Sequence, residues 1–183
     1  MLDELAYINP VRSLLKRCSA RCFDMATLPT KGCVPSEGEV KPYNGGMRFT
    51  NGDTIMARIT PCLENGKAAY INLLNDGEIA FGSTEYIVLS PKPPMPNSFF
   101  YFLVRNATFV TFAIKHMNGS SGRQRVSGTD IAAFGFSRPS NKDLQTFDRL
   151  GIQTLEKIKS NTLEAALLER TQTAMMTQLS SGK

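Results

Sequence analysis

No stretch of this 183-residue sequence approaches the run of about 20 apolar residues needed to cross a bilayer. The N-terminus, Met1-Leu2-Asp3-Glu4-Leu5, lacks both the basic flank and the apolar centre of a secretory signal, so a cytoplasmic protein is expected. Phosphate-cradling loops are missing as well. Neither Gly-x-Gly-x-x-Gly nor Gly-x-x-x-x-Gly-Lys-Ser/Thr occurs, which removes the usual dinucleotide and nucleoside-triphosphate sites. An adenine methyltransferase needs an Asn/Asp-Pro-Pro-aromatic strand end, but Asn9-Pro10 is followed by Val11-Arg12. The single histidine, His116, has no nucleophile elbow around it. No catalytic residue is assigned.

Cysteine is scarce and poorly spaced for metal. Cys18 and Cys22 are close together, but Cys33 and Cys62 are far apart and His116 is farther still, so a second matched ligand pair is missing. Free thiols are the expectation, and no metal site is assigned. One nuclease-like pattern does occur, Asp24 with Glu39-Val40-Lys41. Carboxylates can hold Mg²⁺ and a lysine can serve the attacking water, yet Glu-x-Lys arises by chance in most chains of this length.

What is present is a moderate cationic excess, net +5, with 42% hydrophobic residues, enough for a core. The cations are clustered. No acid occurs between Glu4 and Asp24, a window holding Arg12, Lys16, Arg17 and Arg21. None occurs between Glu85 and Asp130, where Lys92, Arg105, Lys115, Arg123 and Arg125 lie. Such windows favour a polyanion partner, because phosphate contacts release counterions.

Residues 1–138 and 139–183 differ in texture. The first part places short apolar runs between turns and predicts strands over 54–59, 68–73, 78–81 and 85–89. Asn51-Gly52-Asp53, Asn65-Gly66, Asn75-Asp76-Gly77 and the prolines between Pro91 and Pro96 supply the breaks. A helix is expected after Ser98, with Phe99, Phe102, Leu103, Phe109, Phe112 and Ala113 on a core-facing side. A flexible loop, Gly119-Ser120-Ser121-Gly122, precedes Arg123-Gln124-Arg125-Val126. A short helix from Thr129 and a strand near Phe134-Gly135-Phe136 follow.

After Pro139, Ser140-Asn141-Lys142-Asp143 reads as an N-cap cluster opening a helix at Leu144 and Phe147, with Gly151 a break or kink. From Ile152 to Leu179 there is no Gly or Pro, which predicts a rod roughly 42 Å long. A rod of that length is expected to project in part and to pair with another helix. The pairing seam is assigned to Leu155, Ile158, Thr162, Ala165, Leu168, Met176 and Leu179; Glu169 and Gln172 interrupt it, and Leu163 and Leu167 widen it. The alternative is an amphipathic helix folded back on its own domain.

Several segments together resemble the specificity subunits of type I restriction–modification systems. They are Leu2-Asp3-Glu4-Leu5-Ala6 with Ile8-Asn9-Pro10, then Phe23-Asp24-Met25-Ala26-Thr27-Leu28. Next comes the long stretch from Gly52-Asp53-Thr54-Ile55-Met56-Ala57-Arg58 to Asn65-Gly66-Lys67. Gly82-Ser83-Thr84-Glu85-Tyr86, Ser121-Gly122-Arg123-Gln124-Arg125-Val126 and Leu179-Ser180-Ser181-Gly182-Lys183 complete the order. One departure is Leu144-Gln145, where the family's helix usually opens with Glu-Gln.

The resemblance implies an α/β (α+β) target-recognition domain over 1–138 and a long helical spacer over 139–183. Members commonly carry two of each, so this chain is similar to a half subunit or a portion of a longer one. The implied partners are double-stranded DNA, the modification and restriction subunits, and a second copy or half subunit paired through the helix. No cofactor is assigned to this chain; S-adenosylmethionine is expected on the methylating partner. Candidate DNA contacts are Arg58, Lys67, Lys115, Asn118, Ser120, Ser121, Arg123, Gln124 and Arg125, which are polar or cationic donors. Arg123 and Arg125 either grip base edges or rest on phosphates. A protein-binding scaffold with a coiled-coil arm is the alternative function, with a metal-dependent nuclease behind it.

Overall fold

The computed structural model describes residues 1–181. Two four-stranded sheets and a layer of helices form the head, and one long helix leaves it. After a 3-10 turn at Leu2–Glu4, the strands are β1 (Ala6–Ile8), β2 (Ser19–Phe23), β3 (Glu39–Pro42), β4 (Met47–Phe49), β5 (Thr54–Ala57), β6 (Ala68–Tyr70), β7 (Ala80–Gly82) and β8 (Tyr86–Pro91). The helices are α1 (Phe99–Arg105), α2 (Ala107–Lys115), α3 (Gly128–Ala132) and α4 (Asn141–Ser181). The first sheet has the order β1-β8-β5-β6 and is antiparallel throughout. The second has the order β3-β2-β7-β4, with β2 and β7 parallel through Cys22–Phe81 and Phe23–Gly82.

Strand alternation explains the layering. In β8, Tyr86 and Val88 join a core with Phe23, Phe49, Ile55 and Ala80 from both sheets. Ile87 and Leu89 point the other way, into a core with Met56, Phe99, Phe100, Leu103 and Phe109 from the helices. A strand buried on both faces reads as a continuous apolar run, as Tyr86-Ile87-Val88-Leu89 does. Each of these large side chains contributes roughly 1.5–3 kcal/mol on burial.

The four expected strands are present with shifted bounds: β5 and β6 stop early, β7 starts two residues late, and β8 runs on to Pro91. Arg58 and Ile59 leave the β5 ladder, and Glu78 sits in a turn where its carboxylate accepts the Asn75 backbone N–H at 2.8 Å. The single helix expected after Ser98 is two. Asn106 adopts an extended ψ of 131° and its side-chain oxygen accepts the Thr108 N–H at 2.9 Å, capping α2. Phe134-Gly135-Phe136 forms no ladder among the described residues. Its rings instead pack edge-on against Phe109, Phe112 and Phe99.

α4 begins where the sequence places it. The Ser140 hydroxyl accepts the Asp143 N–H at 3.2 Å and donates to the Asp143 carboxylate at 2.6 Å. The helix then continues through Gly151 without a break, over 41 residues and about 60 Å. Its first half packs on the head. Leu144 enters the helical core, the Phe147 ring meets Phe99 and Phe102, and Leu155 closes a small cluster with Cys33, Tyr70 and Tyr101. Two polar straps reinforce this: Lys159 Nζ donates to Asn72 O at 2.7 Å, and Asn72 Nδ2 to Glu156 at 3.0 Å. Every position from 160 to 180 is exposed, including Leu163, Leu167, Leu168, Met175, Met176 and Leu179. Of the terminal motif quoted above, Gly182 and Lys183 lie outside the described residues.

Candidate nucleic-acid interface

The segment after α2 forms a narrow hairpin. Asn118 N–H donates to Arg125 O at 2.9 Å and Arg125 N–H to Asn118 O at 2.8 Å, closing a loop from Gly119 to Gln124. At its tip the Arg123 N–H donates to Ser120 O at 3.0 Å, with Gly122 at φ 77°. A left-handed third residue is the signature of a type II turn, so glycine suits position 122. The base of the hairpin is tied to the chain just after β5: Thr60 N–H donates to Gln124 O, and Val126 N–H to Arg58 O, both at 3.0 Å. Val126 is fully buried, whereas Ser120, Ser121, Gly122 and Arg123 are exposed.

A side-chain pair locks the same base. Arg125 Nε donates to both Glu85 carboxylate oxygens at 2.9 Å, Nη2 to Oε1 at 2.8 Å, and Nη1 to Arg123 O at 2.9 Å. Hydrogen bonding from Arg125, with a smaller contribution from the Arg58 charge, holds the Glu85 carboxyl below its ordinary value. The Asp130 carboxyl is also lowered, chiefly by the Ser127 hydroxyl in the capping box that opens α3.

The structure brings most of the candidate contact residues together. Lys115 ends α2; Asn118, Ser120, Ser121, Arg123 and Gln124 lie on the hairpin. Lys115 and Arg123 are exposed, and among the described residues no ion pair or side-chain hydrogen bond engages either cation. Arg58 sits half-buried at the hairpin base, its Nε without a partner.

Two candidates have partners in the fold. Lys67 is already engaged within the head: its Nζ donates to Met25 O at 2.6 Å, which fastens the segment after β2 to the β5–β6 connection. Arg125 belongs to the hairpin, but its charge is matched by Glu85, although the side chain stays 39% exposed. Glu85 escaped the sequence reading as a site residue. Its partner is 40 positions away, and nothing local marks such a pairing.

Much of the cationic excess serves the fold. Arg12 is paired with the buried Asp53 at 2.8 Å, and Arg21 with Glu78 at 3.2 Å. The Arg105 guanidinium donates to the backbone carbonyls of Pro29, Thr30, Gly32, Gly66 and Ala68, and Lys92 lies over the Tyr7 ring. Burial pushes the Asp53 carboxyl up, opposed by the Thr50 N–H and the Arg12 charge. Lys16 and Arg17 remain exposed.

The helix-pairing seam is also revised. Leu155 is fully buried against its own head and Ile158 packs on the same cluster, so neither is available to a second helix. Thr162 turns toward a cleft with the head, about 590 Å³, which Phe23, Leu28, Val34, Leu163 and Leu167 also line. Ala165, Leu168, Met176 and Leu179 are exposed, as Met175 is. The other patterns resolve locally. The Asp24 carboxylate accepts the Ala26 N–H at 2.9 Å, and Glu39 pairs with Lys41 at 2.7 Å on the exposed strand β3. The four cysteines are free thiols, with burial raising Cys33 to about 11.

No protein-family model matches the chain. Two curated Escherichia coli proteins are similar to it. The type I restriction enzyme EcoAI specificity subunit is 36% identical over 131 residues, covering 68% of this chain and 22% of that protein. The type I restriction enzyme EcoEI specificity subunit is 31% identical over 159 residues, covering 81% of this chain and 27% of that protein. Two solved structures share the fold. The HsdS subunit from Thermoanaerobacter tengcongensis superposes with a TM-score of 0.58 at 18% identity, over 87% of this chain and 42% of its own. A chain from a structure described as underlying complex assembly and conformational transition of the type I R-M system gives 0.53 at 13% identity, over 98% and 41%. This chain spans about a quarter of the length of the curated relatives it matches. With sequence likeness over most of the chain and a shared fold, the chain belongs to the specificity subunits of type I restriction enzymes.

Proposed function

We propose that this chain reads one half of a bipartite DNA target and performs no chemistry on it. The hairpin 118–125 supports the reading: a hydrogen-bonded base carries an exposed tip, with Arg123 on it and Lys115 just before it both unpaired among the described residues, on a chain related to specificity subunits. Phosphate contacts from such cations position a protein on the duplex, while Ser120, Ser121, Gln124 and Asn118 supply donors and acceptors for base edges in the major groove.

In this reading the head over 1–138 recognises and the helical region over 139–183 measures. The exposed half of α4, residues 160–180, is roughly 30 Å long. Two such helices lying antiparallel would separate two heads by about one DNA turn, roughly 34–36 Å. Two copies of one chain would then read a split palindrome. The same helices dock modification and restriction subunits, and S-adenosylmethionine belongs to the methylating partner.

A salt titration of duplex binding, with sedimentation alongside, tests this. The expected result is an affinity that falls steeply with salt and differs between duplex sequences, from a species larger than the monomer at tens of micromolar. Binding to protein partners with no salt-dependent duplex affinity would favour a scaffold instead.

A further inference from the structure

We propose that Glu85 and Arg125 act as a clamp that holds the hairpin in its reading conformation, which makes Arg125 a positioning residue and leaves Arg123 and Lys115 as the cations that meet DNA. This rests on the function proposed above and adds a division of labour among residues that look equivalent in the sequence.

The geometry argues for it. A guanidinium can grip a purine in bidentate fashion along its Nε/Nη2 edge or its Nη1/Nη2 edge. Glu85 occupies the first edge of Arg125 through three hydrogen bonds of 2.8–2.9 Å. On the second, Nη1 already donates to Arg123 O at 2.9 Å. Base reading by Arg125 would require breaking contacts that the free chain has made. Arg123, two residues earlier, is exposed and its side chain has no such commitments among the described residues.

The clamp also sits where it can act. Asn118 and Arg125 close the loop through backbone bonds, and the Arg125 side chain fastens that closure to Glu85, just ahead of β8. The fourth bond, to Arg123 O, fixes the backbone at the edge of the tip. An isolated exposed ion pair would do little. This one joins the two ends of a hairpin to the sheet beneath it, so its loss frees the glycine-rich tip. A loose tip must be ordered at the moment of binding and can settle on several sequences, which erodes discrimination more than affinity.

The test uses the full chain, its best half-site from a random duplex pool, and a scrambled duplex. Glu85→Gln and Arg125→Gln should each lower the ratio of the two affinities about tenfold or more. The double variant should be no worse than either single, because both remove one clamp. Affinity for the scrambled duplex should change much less. If Arg125 itself reads a base, Glu85→Gln leaves the ratio intact or sharpens binding by removing a competing acid, and the proposal is overturned.

A second readout needs no DNA. Amide exchange at Asn118 and Arg125 should quicken in both variants; unchanged exchange also overturns the clamp. A wild-type chain with no sequence preference would defeat the proposed function, and the exchange experiment would still decide whether the clamp exists.

Discussion

Gly151 of α4 lies against Ser98 so closely that a methyl group at position 151 would stand 2.6 Å from the Ser98 hydroxyl oxygen and 3.2 Å from its Cβ. This contact seats the long helix on the head, and it explains a glycine in mid-helix, where alanine would be favoured by about 1 kcal/mol. Gly151→Ala should nevertheless destabilise the chain by about 1–3 kcal/mol, since Ser98 is fully buried and the Phe147 ring stands 3.3 Å from the same methyl group. Combining it with Ser98→Gly should recover the loss, and denaturant unfolding of the four species checks the cycle.

Leu155 and Leu168 lie on one helix with opposite surroundings, the first buried and the second exposed. Leu155→Ala should cost roughly 2–5 kcal/mol of stability by opening a cavity beneath α4. Leu168→Lys should leave unfolding within about 0.5 kcal/mol and instead shift sedimentation toward the monomer. Equal effects of the two on unfolding would contradict the division of α4 into a seated half and a free half.

The boundary between those halves shows what the sequence could convey. Periodicity located the strands around Ile55, Ala69 and Val88, and the Ser140 cap located the start of α4. It could not tell which apolar face of α4 is covered by its own head, because Leu155 and Leu168 look alike to a periodicity argument. The strands β1 to β4 were missed for another reason. They are three to five residues long and mostly half-buried or exposed, and β3 is an exposed edge with Val40 outward, so burial leaves little signature. At the candidate site the glycine and serine tip was legible. The cations were legible only in number: long-range partners such as Asp53 for Arg12 and Glu85 for Arg125 decide which remain free.

Glu85 also predicts a response to acid. Its carboxyl titrates lower in the folded chain than its ordinary 4.5, so its bond to Arg125 is fully stabilising above about pH 4.5. That contribution should be lost as the pH falls through the lower, folded value. Amide shifts of Asn118 and Arg125 followed from pH 7 to pH 3 should therefore stay constant until below about pH 4.5, then move together. Movement already near pH 6 would point to a different titrating group.

Arg123 should behave as a free cation. If it rests on a phosphate, Arg123→Ala weakens all duplexes alike and lowers the salt slope by about 1. If it grips a base, the variant relaxes preference at one position of the site by about 1–3 kcal/mol. Binding to every duplex unchanged by the substitution would place the contact surface elsewhere on the head.

Selection from a pool of random duplexes by the full chain, with a methylating subunit present, probes the central claim most directly. If the head reads bases, one defined half-site is enriched, repeated as a spaced palindrome if two copies pair through α4. A pool that stays random through successive rounds, while the chain remains folded and bound to its partner, would contradict it.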